Sequence, residues 1–107
     1  MDRLDKLLKH LESDPKDSFL IFAVAKEYEK RNQLNKALSY YSNLKSVDPE
    51  YIGLYYHLAK FYEMITEDLL AMNTYKEGVE LAKKLGDFHS LSELNTALTN
   101  LKMQMDN

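Results

Sequence analysis

The sequence predicts an all-α protein built of stacked antiparallel helical hairpins. The main observation is a pattern of 34 residues that occurs twice in tandem, over residues 18–51 and 52–85. A fixed period of this size is typical of stacked helical repeats. The composition agrees with it, because only three Gly and two Pro occur in 107 residues, which leaves little room for turn-rich β-structure. Residues that favour helices, such as Leu, Lys, Glu and Ala, dominate instead.

The two copies of the pattern carry the same residue at seven positions. These are Leu20 and Leu54, Ala25 and Ala59, Lys26 and Lys60, Tyr28 and Tyr62, Glu29 and Glu63, Ala37 and Ala71, and Tyr41 and Tyr75. The small Ala25 and Ala59 share a helical face with an aromatic residue one turn later, so a second helix can approach closely there. Each copy is therefore expected to form a tight hairpin, with Ala37 or Ala71 on the returning helix.

The joint spacing of large, small and aromatic residues resembles the tetratricopeptide repeat (TPR) pattern. The pattern is carried by Ile21, Val24, Ala25, Tyr28, Ala37, Tyr41, Leu44 and Pro49 in the first copy and by Tyr55, Leu58, Ala59, Tyr62, Ala71, Tyr75, Gly78 and Lys83 in the second. The resemblance covers 68 of 107 residues. It implies a single domain over 1–107, in which about six helices form a right-handed stack of hairpins.

Six helices are predicted, at about 2–13, 18–31, 34–47, 52–65, 69–85 and 87–105. The first, within the N-terminal segment 1–14, has a leucine stripe and is either a lid on the first hairpin or a free helix that seeks a partner. The last, over 87–105, is expected to cap the array with one polar face in water. Its apolar stripe is Phe88, Leu91, Leu94, Leu98, Leu101 and Met105, and its polar face is Ser92, Asn95, Thr99 and Lys102.

Several helix ends have recognisable cap residues. Asp17 is the expected N-cap of the second helix, and the segment 66–68 is expected to cap the fifth. Ser90 and Glu93 have the spacing of a capping box, so the sixth helix has a possible second start one turn later. Gly86 is expected to end the fifth helix by adopting a positive φ.

Bulk properties exclude several classes of protein. The net charge of −3 argues against general nucleic-acid binding, which needs a basic face. Without Cys there is no disulfide framework and no thiolate chemistry. The longest apolar run, Phe19 to Ala25, is far too short to span a membrane, and the N-terminus lacks the apolar core of a signal peptide. We therefore expect a cytoplasmic protein without membrane or nucleic-acid partners.

The search for catalytic chemistry gives an expectation of no enzyme, no metal and no cofactor. His10, His57 and His89 fall on different helices or turns, and the pair of His89 and Glu93 is too small a set for a metal site. Gly-rich phosphate loops and nucleophile elbows are missing from the sequence. Glu27 is expected on a solvated helix face beside Glu29. A catalytic protein stays as a third hypothesis, because a fold does not exclude a function.

The TPR resemblance also implies a binding surface, because the first helix of each repeat lines a concave groove in that family. The residues on this face are Phe19, Phe22, Lys26 and Glu29 in the first copy and Gly53, Tyr56, Lys60 and Glu63 in the second. Each copy thus offers an aromatic ring, a lysine one turn later and a glutamate beyond it. The alternative is that terminal helices of the chain cover these rings. Tyr62 is assigned to the hairpin core instead, and Tyr40 to the surface.

The predicted function is that of a non-catalytic protein–protein interaction module, a small TPR adaptor that binds a peptide or helix of a partner in the groove. Lys26 and Lys60 would favour acidic groups of the partner, while Phe22 and Tyr56 would hold apolar side chains. The alternative is a self-associating structural module that forms a homo-oligomer. Neither the partner nor the oligomeric state follows from the sequence.

Overall fold

The computed structural model describes residues 1–106, and within them it contains six helices and no strand. The helices are α1 Arg3–Ser13, α2 Ser18–Lys30, α3 Leu34–Val47, α4 Gly53–Met64, α5 Asp68–Leu85 and α6 Phe88–Met105. The prediction of an all-α, six-helix protein is confirmed, and each predicted end lies within one residue of the observed one.

The chain divides into two compact units. The first is Met1–Tyr51 and holds α1, α2 and α3, whereas the second begins at Ile52 and holds α4, α5 and α6. This boundary falls where the sequence pattern places the boundary between its two copies. That the units together act as one domain over 1–107 stays a prediction.

Three helices end in the same way, with one residue in the left-handed region and two backbone hydrogen bonds back to the last turn. The left-handed residue donates its N–H to the carbonyl three residues earlier. The left-handed residues are Asn32 (φ 61°), Thr66 (φ 61°) and Gly86 (φ 69°). In each case the next residue donates its N–H to the carbonyl five residues earlier, as in the Schellman motif. The expected role of Gly86 is confirmed. The segment 66–68 holds the N-cap position of α5, at Glu67, and the acidic Asp68 in its first turn, but no side chain forms a cap hydrogen bond. The Thr66 hydroxyl donates to the Ile65 carbonyl at 2.6 Å instead.

Aspartates cap three of the helix starts. The side chains of Asp2, Asp17 and Asp87 accept a hydrogen bond from a backbone N–H three residues later, at 2.9, 3.0 and 3.0 Å. The N-cap prediction for Asp17 is confirmed. The second start of α6 at Ser90 is wrong, because Asp87 already satisfies the Ser90 N–H and also accepts from its hydroxyl.

The buried residues of each hairpin match the sequence pattern closely. The small residues at the predicted helix crossings, Ala25, Ala37, Ala59 and Ala71, have no exposed surface. The aromatic Tyr41 and Tyr75 are equally buried. The assignment of Tyr62 to the core is wrong: this ring is half-buried, and the neighbouring Phe61 is buried instead, with 1% exposure.

In the second unit α5 lies against both α4 and α6, and Gly78 of α5 lies close to residues of both neighbours. A Cβ atom added there would lie 2.7 Å from the Tyr55 Cβ and 3.1 Å from both methyl groups of Leu94. The missing side chain therefore permits the packing. The apolar stripe of α6 is buried at Leu94, Leu98 and Leu101 but exposed at its first residue, Phe88 (77%).

In the first unit α1 packs on α2, as a lid would, and its N-terminus is held by charged groups. Glu27 lies between two arginines, with 3.4 Å to Arg3 Nε and 3.5 Å to Arg31 Nε, and Arg31 also reaches Asp2 at 3.1 Å. The expectation of a solvated Glu27 is therefore wrong. The carboxylate is buried because α1 covers it and supplies Arg3 as a compensating charge.

Candidate functional site

Each unit carries the same arrangement of four side chains, three on the first helix of the hairpin and one on the second. In the first unit the ring of Phe22 meets the ring of Tyr41 edge-on, with centroids 6.4 Å apart. The Tyr41 hydroxyl donates to Glu29 Oε1 at 2.7 Å, and Lys26 Nζ lies 3.8 Å from the same oxygen. Glu29 thus joins the lysine of α2 to the tyrosine of α3.

The second unit repeats this geometry. The rings of Tyr56 and Tyr75 also meet edge-on at 6.4 Å, with an interplanar angle of 64° against 62° in the first unit. The Tyr75 hydroxyl donates to Glu63 Oε2, from which Lys60 Nζ is 3.7 Å away. Lys60 Nζ also lies 5.6 Å from the centre of the Tyr56 ring, within cation–π distance.

The two tyrosine hydroxyls are kept protonated by their surroundings. Burial, and then the hydrogen bond to the neighbouring glutamate, raises the pKa of Tyr41 and Tyr75 far above the ordinary value of 10.0. A neutral donor thus faces each carboxylate and fixes its position. Sequence reasoning assigned Tyr41 and Tyr75 to packing alone and missed this bond. A signal existed, since both Glu and Tyr are among the seven residues identical in the two copies.

The predicted groove residues differ in their exposure. Six are half-buried, namely Phe22, Lys26, Glu29, Gly53, Tyr56 and Glu63. Lys60 is exposed, and Phe19 is 62% exposed one turn before Phe22 on α2. Phe22 also meets the ring of Tyr51 edge-on at 5.6 Å. The structure therefore brings together an aromatic ring, Lys and Glu in each unit, while Phe19 remains at the margin of the first set.

Tyr56 and Lys60 open onto a pocket of about 310 Å³ whose opposite wall is α6. The residues of that wall are His89, Ser92, Glu93, Thr96, Ala97 and Asn100. The terminal helix thus lies beside the Tyr56 ring, and the ring is half-buried rather than fully covered. Of the predicted polar face of α6, only Ser92 lines this wall, whereas Asn95, Thr99 and Lys102 do not. The spacing within one helix does not reveal which of its residues meet a neighbouring helix.

The histidines offer little support for metal binding. His89 Nε2 lies 3.6 Å from Glu93 Oε2, so the two side chains share a face of α6 as predicted. Residues 1–106 contain no group of three or more His, Cys, Asp or Glu side chains that could hold a metal ion. In the same part of the chain, no helix has the length and apolar character needed to cross a bilayer.

The expectation of Tyr40 at the plain surface is wrong. Its ring is half-buried and stacks on Tyr28, with centroids 5.6 Å apart and an interplanar angle of 27°. Lys36 Nζ also lies 5.5 Å from the Tyr28 ring centre. The excess of tyrosine in this sequence is thus partly explained by ring contacts inside the first unit.

Comparison with solved structures decides the family. A solution structure of a tetratricopeptide repeat domain protein from Salinibacter ruber is 38% identical, with a TM-score of 0.78, over 81% of this chain and 88% of that one. The chain belongs to the tetratricopeptide repeat family. A crystal structure of a TPR domain protein from the same organism agrees, at 37% identity and a TM-score of 0.75, over 80% of this chain and 97% of that one.

More distant TPR structures share the fold at low identity. The TPR2B domain of yeast Sti1, solved as a complex with pHsp70, has a TM-score of 0.85 at 15% identity, over 94% of this chain and 81% of that one. Searches against protein-family models and against curated proteins find no match. The family places this TPR chain among protein-interaction modules, a class whose members are typically not enzymes.

Proposed function

We propose that this chain binds a segment of a partner protein through the aromatic ring, lysine and glutamate that each repeat presents. The observation that carries the proposal is the repetition of one geometry in both units, with ring distances of 6.4 Å and Lys–Glu distances of 3.8 and 3.7 Å. A hairpin needs the buried tyrosine for packing, but a half-buried second ring and a partly exposed lysine are not required by the fold. Their recurrence favours a function in contact with a partner.

The pocket of the second unit indicates which groups the partner would present. The Tyr56 ring and the Ala97 methyl group offer an apolar surface, while the Lys60 ammonium group would attract a carboxylate. Ser92, Thr96 and Asn100 on the α6 wall carry hydroxyl or amide groups that form hydrogen bonds readily. We therefore propose a partner segment with an apolar side chain next to an acidic one.

The fold neighbours support the class of partner. A TPR domain of yeast Sti1 with the same fold was solved as a complex with pHsp70, which is a protein. We propose that this chain is likewise a protein-binding adaptor, and we retain the expectation that it works in the cytoplasm as one domain without catalysis. Self-association through the same faces is the alternative, and it predicts a homo-oligomer.

A peptide selection tests this proposal even though the partner is unidentified. Random peptides displayed on phage are selected on the immobilised chain, and the enriched peptide is titrated into ¹⁵N-labelled protein. We expect apolar–acidic peptides whose binding shifts the amide signals of Tyr56, Lys60 and the facing residues of α6. Lys60→Glu should weaken binding, whereas Lys102→Ala, elsewhere on α6, should not. Enriched peptides that shift only signals outside both faces, or a stable dimer in light scattering, would contradict the proposal.

A further inference from the structure

The turn that joins α4 and α5 is apolar and acidic at once. We name this region the α4–α5 turn surface and define it by Met64, Ile65, Glu67, Asp68, Leu69 and Leu70. Leu69 is 65% exposed, Met64 51% and Leu70 45%, and both carboxylates are exposed. Single exposed apolar residues are common on proteins, but three large ones within seven residues, beside acidic groups, are typical of an interaction surface.

The first unit provides an internal control for this surface. Its α2–α3 turn has the same backbone conformation. Asn32 and Thr66 both have φ 61°, and each turn forms the same two backbone hydrogen bonds to the preceding helix. The residues at the positions of Met64, Ile65, Leu69 and Leu70 are Lys30, Arg31, Asn35 and Lys36. The turn geometry therefore does not require apolar residues, and those of the second unit need another explanation.

Internal contacts do not supply that explanation. In the first unit the equivalent side chains have intramolecular roles, since Arg31 pairs with Asp2 and Lys36 lies over the Tyr28 ring. In the second unit Leu69, Leu70 and Met64 keep about half or more of their surface in water. Water contact of this kind is unfavourable for apolar side chains and is relieved when a partner covers them.

The backbone at this turn is also strained. Thr66 has φ 61°, a left-handed conformation that a β-branched residue rarely adopts, whereas Asn at the same place in the first unit adopts it readily. Strained residues of this kind occur disproportionately at binding sites and switches. The strain thus falls at the centre of the same exposed segment.

Charge identifies the class of occupant. Within residues 1–106 neither Glu67 nor Asp68 forms an ion pair with a lysine, arginine or histidine of the chain. A second copy docked turn to turn would bring these carboxylates together, and like charges at an interface are unfavourable. The basic α2–α3 turn of another copy would match the charge, but it carries no comparable apolar residues. We propose that the α4–α5 turn surface docks a partner-protein segment whose apolar face is flanked by Lys or Arg.

Two designed peptides test this assignment. One is an amphipathic helical peptide made only of leucine and lysine, and the other has the same pattern with glutamate in place of lysine. We expect the lysine peptide to bind and to shift the amide signals of residues 64–70 in ¹⁵N-labelled protein, and the glutamate peptide to bind at least about tenfold more weakly. The variant Glu67→Lys with Asp68→Lys should reverse that preference.

The matched variant transplants residues of the first unit. Met64→Lys, Leu69→Asn and Leu70→Lys together install side chains that the identical backbone already carries at the other turn, so the fold should persist. We expect this triple variant to weaken binding of the lysine peptide by roughly tenfold or more, because burial of even one leucine contributes about that factor. Lys102→Ala serves as a control with unchanged affinity.

Three results would overturn the assignment. One is equal affinity for the two peptides, and another is a set of shifts centred on Tyr56 and Lys60 rather than on residues 64–70. The third is a dimer in light scattering that the triple variant abolishes, which would make a second copy the occupant. Because the surface and the variants differ from those of the proposed groove site, each of the two proposals can fail without the other.

Discussion

Replacing Gly78 by Ala tests the packing of the second unit most sharply. The new Cβ would lie 2.7 Å from the Tyr55 Cβ, well inside normal contact, and 3.1 Å from both Leu94 methyl groups. Leu94 can move slightly, but the Tyr55 Cβ is tied to the backbone of α4, so α5 must shift. Overpacking of this kind costs about 1–3 kcal/mol, and the higher helix propensity of Ala returns about 0.5–1 kcal/mol. We expect a net loss of roughly 1–2 kcal/mol in the free energy of unfolding.

Urea unfolding followed by far-ultraviolet circular dichroism measures this loss. With a urea dependence of about 1–3 kcal/mol per molar, the midpoint should fall by roughly 0.3–2 M. Gly53→Ala is the control, because nothing lies within 4 Å of a Cβ added at Gly53. Gly53 is the first residue of α4 and, like Gly78, is helical. The midpoint of Gly53→Ala should stay or rise. A Gly78→Ala midpoint equal to or above that of Gly53→Ala would refute the close approach of the three helices.

Two further predictions concern the left-handed turns and the buried tyrosines. Thr66→Asn should raise the free energy of unfolding in urea by roughly 0.5–1 kcal/mol, because Asn adopts the left-handed conformation with less strain. Asn32→Thr should lower it by a similar amount. Changes of the same sign in the two variants would contradict this. The hydroxyls of Tyr41 and Tyr75 should stay protonated well above pH 10 in an ultraviolet titration, because burial and the bond to glutamate raise their pKa. Because the folded state raises their pKa, it holds protons that the unfolded chain releases, so stability should fall as the pH rises above about 10. Tyr41→Phe with Tyr75→Phe should flatten that fall, and an equally steep fall in the double variant would contradict the assignment.

Much of the fold could be predicted because the repeat imposes the same local rules twice. The positions of Ala25 and Ala59, of their partners on the returning helices, and of Gly86 follow from helical periodicity and from backbone conformational limits. The prediction failed at Tyr62, which matches the buried Tyr28 of the first copy but is itself only half-buried. The neighbouring Phe61 is buried instead. The repeat pattern shows that Tyr28 and Tyr62 occupy matching positions, but it does not show how deeply each ring is buried.

The candidate site was predicted less completely, for a related reason. The faces of α2 and α4 follow from spacing within a helix, so Lys26 and Lys60 were placed with their aromatic neighbours. The glutamate–tyrosine bonds and the α6 wall depend on which side chains from different helices meet, and a single sequence does not contain that information. The burial of Glu27 likewise depends on α1 lying over it with Arg3.

Tyr56→Ala tests the central claim, that a partner segment binds at this ring, most directly. The affinity of the selected peptide and the urea midpoint are measured for this variant, with Phe61→Ala as the control for a buried ring. We predict a loss in affinity of roughly thirtyfold, about 2 kcal/mol, together with a smaller loss of stability than the roughly 3–5 kcal/mol expected for Phe61→Ala. Unchanged peptide affinity, or a loss of stability as large as that of Phe61→Ala, would contradict the claim, because the ring would then serve the fold rather than the partner.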